Sequence, residues 1–155
     1  MGLQVECIDI SKGACEYLAE VDIPARAINF FDLKDEQYDT ILLLMNGIGI
    51  AGTLANLENT LAHAKTLLAP GGKILCDSSD IKYLYEDEDG SMWMDLNTEY
   101  YGNFRFQMSY KKEVGPWFDW LYVDFENLFN SAKNVGLKAR KIYDKEDHFL
   151  AEITQ

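Results

Sequence analysis

Asp39-Thr40-Ile41-Leu42-Leu43-Leu44-Met45 is apolar from Ile41 onward, with no polar residue breaking the run. Such a run marks a parallel strand covered on both faces, because a strand with one wet face alternates. Downstream, Leu54, Leu57, Leu61, Ala64 and Leu68 recur at helical spacing and predict an amphipathic helix over 53–69. Pro70-Gly71-Gly72 stops that helix, and Lys73-Ile74-Leu75-Cys76-Asp77 reads as the next strand. Upstream, Leu3 to Asp9 is a strand ending in an acid, and Ser11 caps a helix to about Glu20. Ile23-Pro24 breaks that helix, and Ala25 to Phe30 is a further strand. Strands alternating with helices imply an α/β fold with a parallel sheet and right-handed crossovers.

The character changes after Asp80. Phe104, Phe106, Met108 and Tyr110 alternate with Arg105, Gln107, Ser109 and Lys111, a half-buried antiparallel pattern. A turn at 112–115 leads to a second strand, Trp117 to Val123, so a β-hairpin is expected. Asp124 then caps a helix carrying Phe125, Leu128, Phe129, Ala132 and Val135, with Gly136 as its stop. Two strands, about Leu137 to Tyr143 and His148 to Ile153, are close enough in sequence to pair antiparallel. No linker divides the chain, so residues 1–155 read as a single domain with an insertion over about 81–123.

With 155 residues, 48% hydrophobic and 26% charged, the chain is long enough to bury a core. Its net charge of −12 argues against nucleic acid as the main partner, since phosphate binding needs a basic face. Cys7, Cys15 and Cys76 are an odd set that makes no disulfide framework and points to a reducing, cytoplasmic setting. No apolar run approaches the ~18 residues of a membrane span, and no secretory leader pattern is present, so no membrane partner is expected.

Val5-x-x-Ile8-Asp9-Ile10-Ser11 resembles the second strand of class I S-adenosylmethionine-dependent methyltransferases. Tyr38-Asp39-Thr40-Ile41 resembles the family's fourth strand. Leu67-Leu68-Ala69-Pro70-Gly71-Gly72-Lys73-Ile74-Leu75 resembles its turn into the fifth. Val135-Gly136-Leu137 and Phe149-Leu150-Ala151-Glu152-Ile153 match its closing helix and antiparallel pair. Order and spacing carry the resemblance, which covers nearly the whole chain. It implies a three-layer αβα Rossmann-like fold, mostly parallel, with antiparallel C-terminal strands and an inserted hairpin. It also implies methyl transfer from S-adenosyl-L-methionine to a small-molecule or other, unidentified acceptor. The family's first strand and Gly-rich loop have no counterpart here, so the domain reads as N-terminally truncated and as a weak cofactor binder. In the family that strand lies between the second and fourth. Val5–Asp9 and Ile41–Met45 are therefore expected to close up and pair, with reduced stability or self-association in solution.

The resemblance also implies site residues. Asp9 would accept hydrogen bonds from the ribose hydroxyls, with Ile10 against the adenine. Asn29, with Phe30 beside it, would meet the adenine edge, since an amide donates and accepts; Asp32 is the competing residue if the register slips. Asn46 and Gly47 would approach the methionine part. Tyr83, Trp93 and Tyr101, in the aromatic insertion, are candidates for acceptor contact, with core packing the alternative. No catalytic residue is assigned, because in-line placement can carry much of such a reaction.

Other readings compete. Gly47-Ile48-Gly49-Ile50-Ala51-Gly52 is a formal G-x-G-x-x-G between strand and helix, with Asp77 closing the next strand, as in an NAD-type dinucleotide site. A noncatalytic remnant or interaction domain of the same fold is a further alternative. Glu86-Asp87-Glu88-Asp89-Gly90 reads as a solvated loop, because Tyr85 and Leu96 stand where calcium needs oxygen. His63 and His148 lack a third ligand at recognisable spacing, so no metal is expected. Ser78 and Ser79 lack a nucleophile-elbow context.

Overall fold

Two units make up the chain, residues 1–36 and 37–155, in a computed structural model that describes residues 2–87, 91 and 100–155. Trp93 and the Glu88-Asp89-Gly90 end of the acidic loop lie outside the described residues.

The first unit is one βαβ turn. Strands β1 (Cys7–Asp9) and β2 (Ala25–Ala27) pair in parallel, with Asp9 opposite Ala27. Helix α1 (Lys12–Glu20) connects them and starts as expected, with Ser11 Oγ accepting from Ala14 N at 3.2 Å. Arg26 Nη2 on β2 donates to Glu6 at 3.0 Å and to Glu36 at 2.6 Å.

The second unit holds a four-stranded mixed sheet in the order β3-β4-β8-β7. Strands β3 (Tyr38–Leu43) and β4 (Leu68–Ser79) are parallel. They are joined by a 3₁₀ turn (Gly47–Ala51) and helix α2 (Leu54–Thr66). The hairpin of β5 (Asn103–Tyr110) and β6 (Glu113–Leu121) forms a separate two-stranded sheet. Helix α3 (Phe125–Asn134) follows, then β7 (Lys138–Lys145) and β8 (His148–Thr154). Strand β8 is antiparallel to both neighbours and lies between them. Leu57 and Leu61 of α2, Leu128 of α3, Ile74 of β4 and Ile153 of β8 are fully buried. Each contributes roughly 1.5–3 kcal/mol of apolar burial. Lys65 on α2 donates to the carbonyls of Val135 (2.8 Å) and Gly136 (3.3 Å), satisfying groups that α3 leaves unpaired at its end. Gly136 has φ +72, the left-handed stop its position predicts.

Three expectations need correction. Strand β3 is parallel but not covered on both faces. Leu43 is buried while Leu42 is 56% exposed, because successive side chains point to opposite faces and the face that carries Leu42 is left open. Helix α2 ends at Thr66 rather than Ala69, and β4 begins at Leu68. The chain pairs Leu68 with Tyr38 before the Pro-Gly-Gly bend, and the ladder resumes at Thr40–Lys73 past an irregularity. The closing-up ladder is also absent: among the described residues β1 is paired with β2 alone and β3 with β4 alone.

Asp124 caps α3 through Asn127 N (2.9 Å) and also accepts from Asn127 Nδ2 (2.6 Å) and Tyr100 Oη (2.6 Å). Burial pushes its carboxyl up, but these donors outweigh it and hold the pKa below the ordinary carboxylate value. Tyr100 is pushed up by the same burial and by the bond to Asp124. Because the folded value of Asp124 is depressed, its stabilisation is full above the unfolded-state value near 3.9 and is lost as pH falls through the lower folded value. Asp124→Ala should therefore destabilise by about 2 kcal/mol at neutral pH. Denaturant melts of both proteins should show that gap closing only at strongly acidic pH, and a gap independent of pH would contradict the assignment.

Candidate functional site

Open α/β sheets bind ligands at the carboxyl ends of their parallel strands, where helix and loop backbones leave groups unsatisfied. Each unit presents one such end.

In the first unit, Asp9 closes β1 on the surface. Its Oδ1 accepts from Ser11 N at 2.7 Å, which fixes the carboxylate at the mouth of α1, and Oδ2 is not used by any described residue. Ile10 beside it is 77% exposed, an apolar side chain that nothing in the fold requires there. Asn29 caps the 3₁₀ turn Phe30–Asp32, its Oδ1 accepting from Phe31 N at 3.0 Å. What Asn29 retains is its amide N–H pair, a donor only. Phe30 is buried, and its ring meets the half-exposed Phe31 edge-on at 5.4 Å. The end of this unit therefore combines a free carboxylate oxygen, an exposed apolar side chain and an amide donor. That set of groups fits a nucleoside: paired hydroxyls donating to the carboxylate, a flat base for Ile10.

In the second unit, β3 ends in two consecutive left-handed residues, Met45 (φ 59) and Asn46 (φ 57). Neither is glycine, so the bend is held against a local steric cost. Asn46 holds it: Nδ2 donates to Leu121 O (3.1 Å), Oδ1 accepts from Ser78 Oγ (2.8 Å), and N–H donates to Asp77 Oδ2 (3.2 Å). Ser78 Oγ in turn accepts from Val123 N at 3.0 Å, tying the bend to β4 and the end of β6. Asn46 is thus saturated from within, and the bend leaves Met45 92% exposed at its apex. Sequence reading missed Met45, because no composition signal marks a left-handed methionine.

The glycine fingerprint resolves differently from a dinucleotide turn. Gly47–Ala51 is a 3₁₀ turn in which Ile48 and Gly49 are buried. The indole of Trp120 on β6 lies directly on Gly49, where a Cβ would stand 2.5–2.6 Å from Cε2 and Cδ1 and closer still to Nε1. The space that Gly49 opens is filled by a tryptophan, so no pyrophosphate approaches there. Gly52 serves the left-handed exit of the turn, at φ +76.

Beyond β4, Tyr83 is exposed on the 3₁₀ turn Ile81–Tyr85. Tyr101 lies inward: its hydroxyl donates to Asp80 Oδ1 at 2.6 Å, and its ring meets Tyr100 at 4.5 Å. Burial and the bond to Asp80 push its pKa up, so it stays a protonated donor. Cys76 is pushed up to about 12 by burial and then by the neighbouring Asp77, which makes it an inert core thiol. Asp77 is only 7% exposed, and its Oδ1 has no hydrogen-bond partner. Among the described residues no group of three His, Cys, Asp or Glu could hold a metal, and no helix is long and apolar enough to cross a membrane.

Neither a protein-family model nor a curated protein matches the chain. Solved structures do. An S-adenosylmethionine-dependent methyltransferase from Bacteroides fragilis, solved in complex with S-adenosyl-L-homocysteine, is 44% identical over 97% of this chain with a TM-score of 0.89. The chain spans 62% of that protein's length. The CcbJ methyltransferase from Streptomyces caelestis shares the fold at 12% identity, with a TM-score of 0.70 over 98% of this chain and 74% of its own. The sugar N-methyltransferase KedS8 from Streptoalloteichus does so at 14%, with 0.60 over 97% and 70%.

Proposed function

We propose that this chain belongs to the class I S-adenosylmethionine-dependent methyltransferase family, binds S-adenosyl-L-methionine and passes its methyl group to a small-molecule acceptor. The observation that carries the proposal is the 44% identity to a methyltransferase solved with S-adenosylhomocysteine. The chemistry of the β1 end supports it. Asp9 receives the ribose hydroxyls on Oδ2, while Oδ1 stays on Ser11 N and keeps the carboxylate aimed. Ile10 lies against the base, and Asn29 donates to one of its ring nitrogens, its oxygen being committed to Phe31. Phe30 supports this turn from within.

Asn46 and Gly47 shape the backbone beside the methionine part, Asn46 by holding the left-handed bend rather than by a free side-chain group. When bound, the cofactor supplies an electrophilic methyl group on a sulfonium. The protein's contribution is to align an acceptor with it and keep competing water out. Tyr83 and Tyr101 are the described residues proposed for acceptor contact. An acceptor that is not nucleic acid accords with the net charge of −12.

Titration calorimetry with S-adenosylhomocysteine tests the proposal. Each bond from a hydroxyl to a charged acceptor is worth about 1.5–3 kcal/mol, so Asp9→Ala should weaken binding at least tenfold while leaving the melt nearly unchanged. A wild-type protein that takes up no S-adenosylhomocysteine, or a variant that binds it equally well, would remove the basis for the reading.

A further inference from the structure

Ser78 has no exposed surface, and its hydroxyl serves neither its own strand nor a helix cap. Oγ lies 2.8 Å from Asn46 Oδ1 and 3.0 Å from Val123 N. Asn46 Nδ2 meets the Leu121 carbonyl at 3.1 Å. Ser78 thus connects the left-handed bend at Met45 and Asn46 to the stretch where the 81–123 insertion runs back into α3. Trp120, in that same stretch, lies on Gly49 of the turn that follows the bend.

Only one assignment of protons satisfies these bonds. The Leu121 carbonyl only accepts, so the amino end of the Asn46 amide faces it and Oδ1 faces Ser78. Oδ1 only accepts, so Ser78 gives it the hydroxyl proton. The Val123 N–H only donates, and it takes a lone pair of the same serine oxygen. Without that hydroxyl, Oδ1 has no donor and the amide is held on one side only. The bend then loses one of the bonds that hold it against its steric cost, and the Val123 N–H is left buried without an acceptor.

Resting on the methyltransferase reading, we propose that Ser78 is a positioning residue for S-adenosyl-L-methionine, acting through Asn46. It keeps the bend in the conformation that flanks the methionine part of the cofactor, and it ties that conformation to the return of the insertion. A site that adopts its binding conformation only part of the time loses affinity by that fraction. The linkage runs both ways, so an occupied site also holds the insertion's return more firmly. Ser78 itself has no surface to offer a ligand.

NMR titration of the full chain with S-adenosylhomocysteine tests this. Ser78→Ala should raise the Kd at least about fivefold. Ile153→Val, which thins the core beside Ile74 without touching the bend, should lower stability and leave the Kd at its wild-type value. Asn46→Gly removes the amide through which Ser78 acts, and in that background Ser78→Ala should add less than about twofold. In the wild type alone, saturation should slow exchange of the Val123 N–H more than that of the Leu137 N–H, which bonds Ala132 O at the far end of α3. That measurement decides where a variant does not fold. An unchanged Kd in Ser78→Ala, an equal loss in Ile153→Val, the full loss recurring on Asn46→Gly, or equal slowing at both amides overturns the proposal. A wild type that takes up no S-adenosylhomocysteine is a separate result: it overturns the methyltransferase reading, and this proposal falls with it.

Discussion

Asn46→Ala is expected to lower the unfolding free energy by about 3–5 kcal/mol, a large share of what a domain of this size has to lose. The substitution strands the Leu121 carbonyl, which Asn46 Nδ2 satisfies, and the Ser78 hydroxyl, which donates to Oδ1. Each unmatched buried group costs about 1–3 kcal/mol. Alanine must also occupy φ 57, which adds about 1 kcal/mol that asparagine partly avoids. Asn46→Gly separates the two effects, because it loses the same bonds but accepts the backbone freely. Denaturant titrations should place glycine between wild type and alanine. If alanine and glycine were equal and both within 1 kcal/mol of wild type, the bend would not depend on this residue.

Gly49→Ala should cost about 2–3 kcal/mol by overpacking, through a route unrelated to phosphate binding. The new methyl group overlaps the Trp120 indole, and Ile48 before it and Ala51 two residues on are buried and cannot retreat. Trp120→Phe narrows the ring at that point, so a double-mutant cycle should show the alanine penalty shrinking by more than half in that background. An unchanged penalty would mean that the strain comes from the 3₁₀ turn itself.

Local chemistry made much of this fold readable from sequence. Ser11 and Asp124 act within three residues of themselves, so their caps needed no knowledge of the sheet. The hairpin likewise announced itself through alternation at 104–110, but its second strand starts at Glu113 and ends at Leu121 rather than running from Trp117 to Val123, because the turn is tighter than the expected 112–115 and Tyr110 already pairs with Glu113. The reading of 39–45 failed where it depended on neighbours: an unbroken apolar run reports what a strand can bury, not which faces its sheet leaves open. Asp9 and Asn29 were legible as strand-end residues, but that Asn29 gives its oxygen to a cap required coordinates. The approach of Asp77 to His148, 3.3 Å apart, could not be found at all: the two are separated by 71 positions and meet only because β8 runs antiparallel along β4 in one register.

The position of β8 has a consequence for how the molecule comes to exist. It is the last strand of its sheet in sequence and lies between β4 and β7. During synthesis, β3, β4 and α2 emerge with one edge of β4 bare, and no local partner can cover it. Closure waits for residues 148–154, across a separation of up to 81 positions in the Lys73–Thr154 pair. Such non-local pairing makes folding slow. Until residues 148–154 have emerged, the nascent chain exposes an unpaired apolar strand of the kind that chaperones bind and that neighbouring chains can template upon.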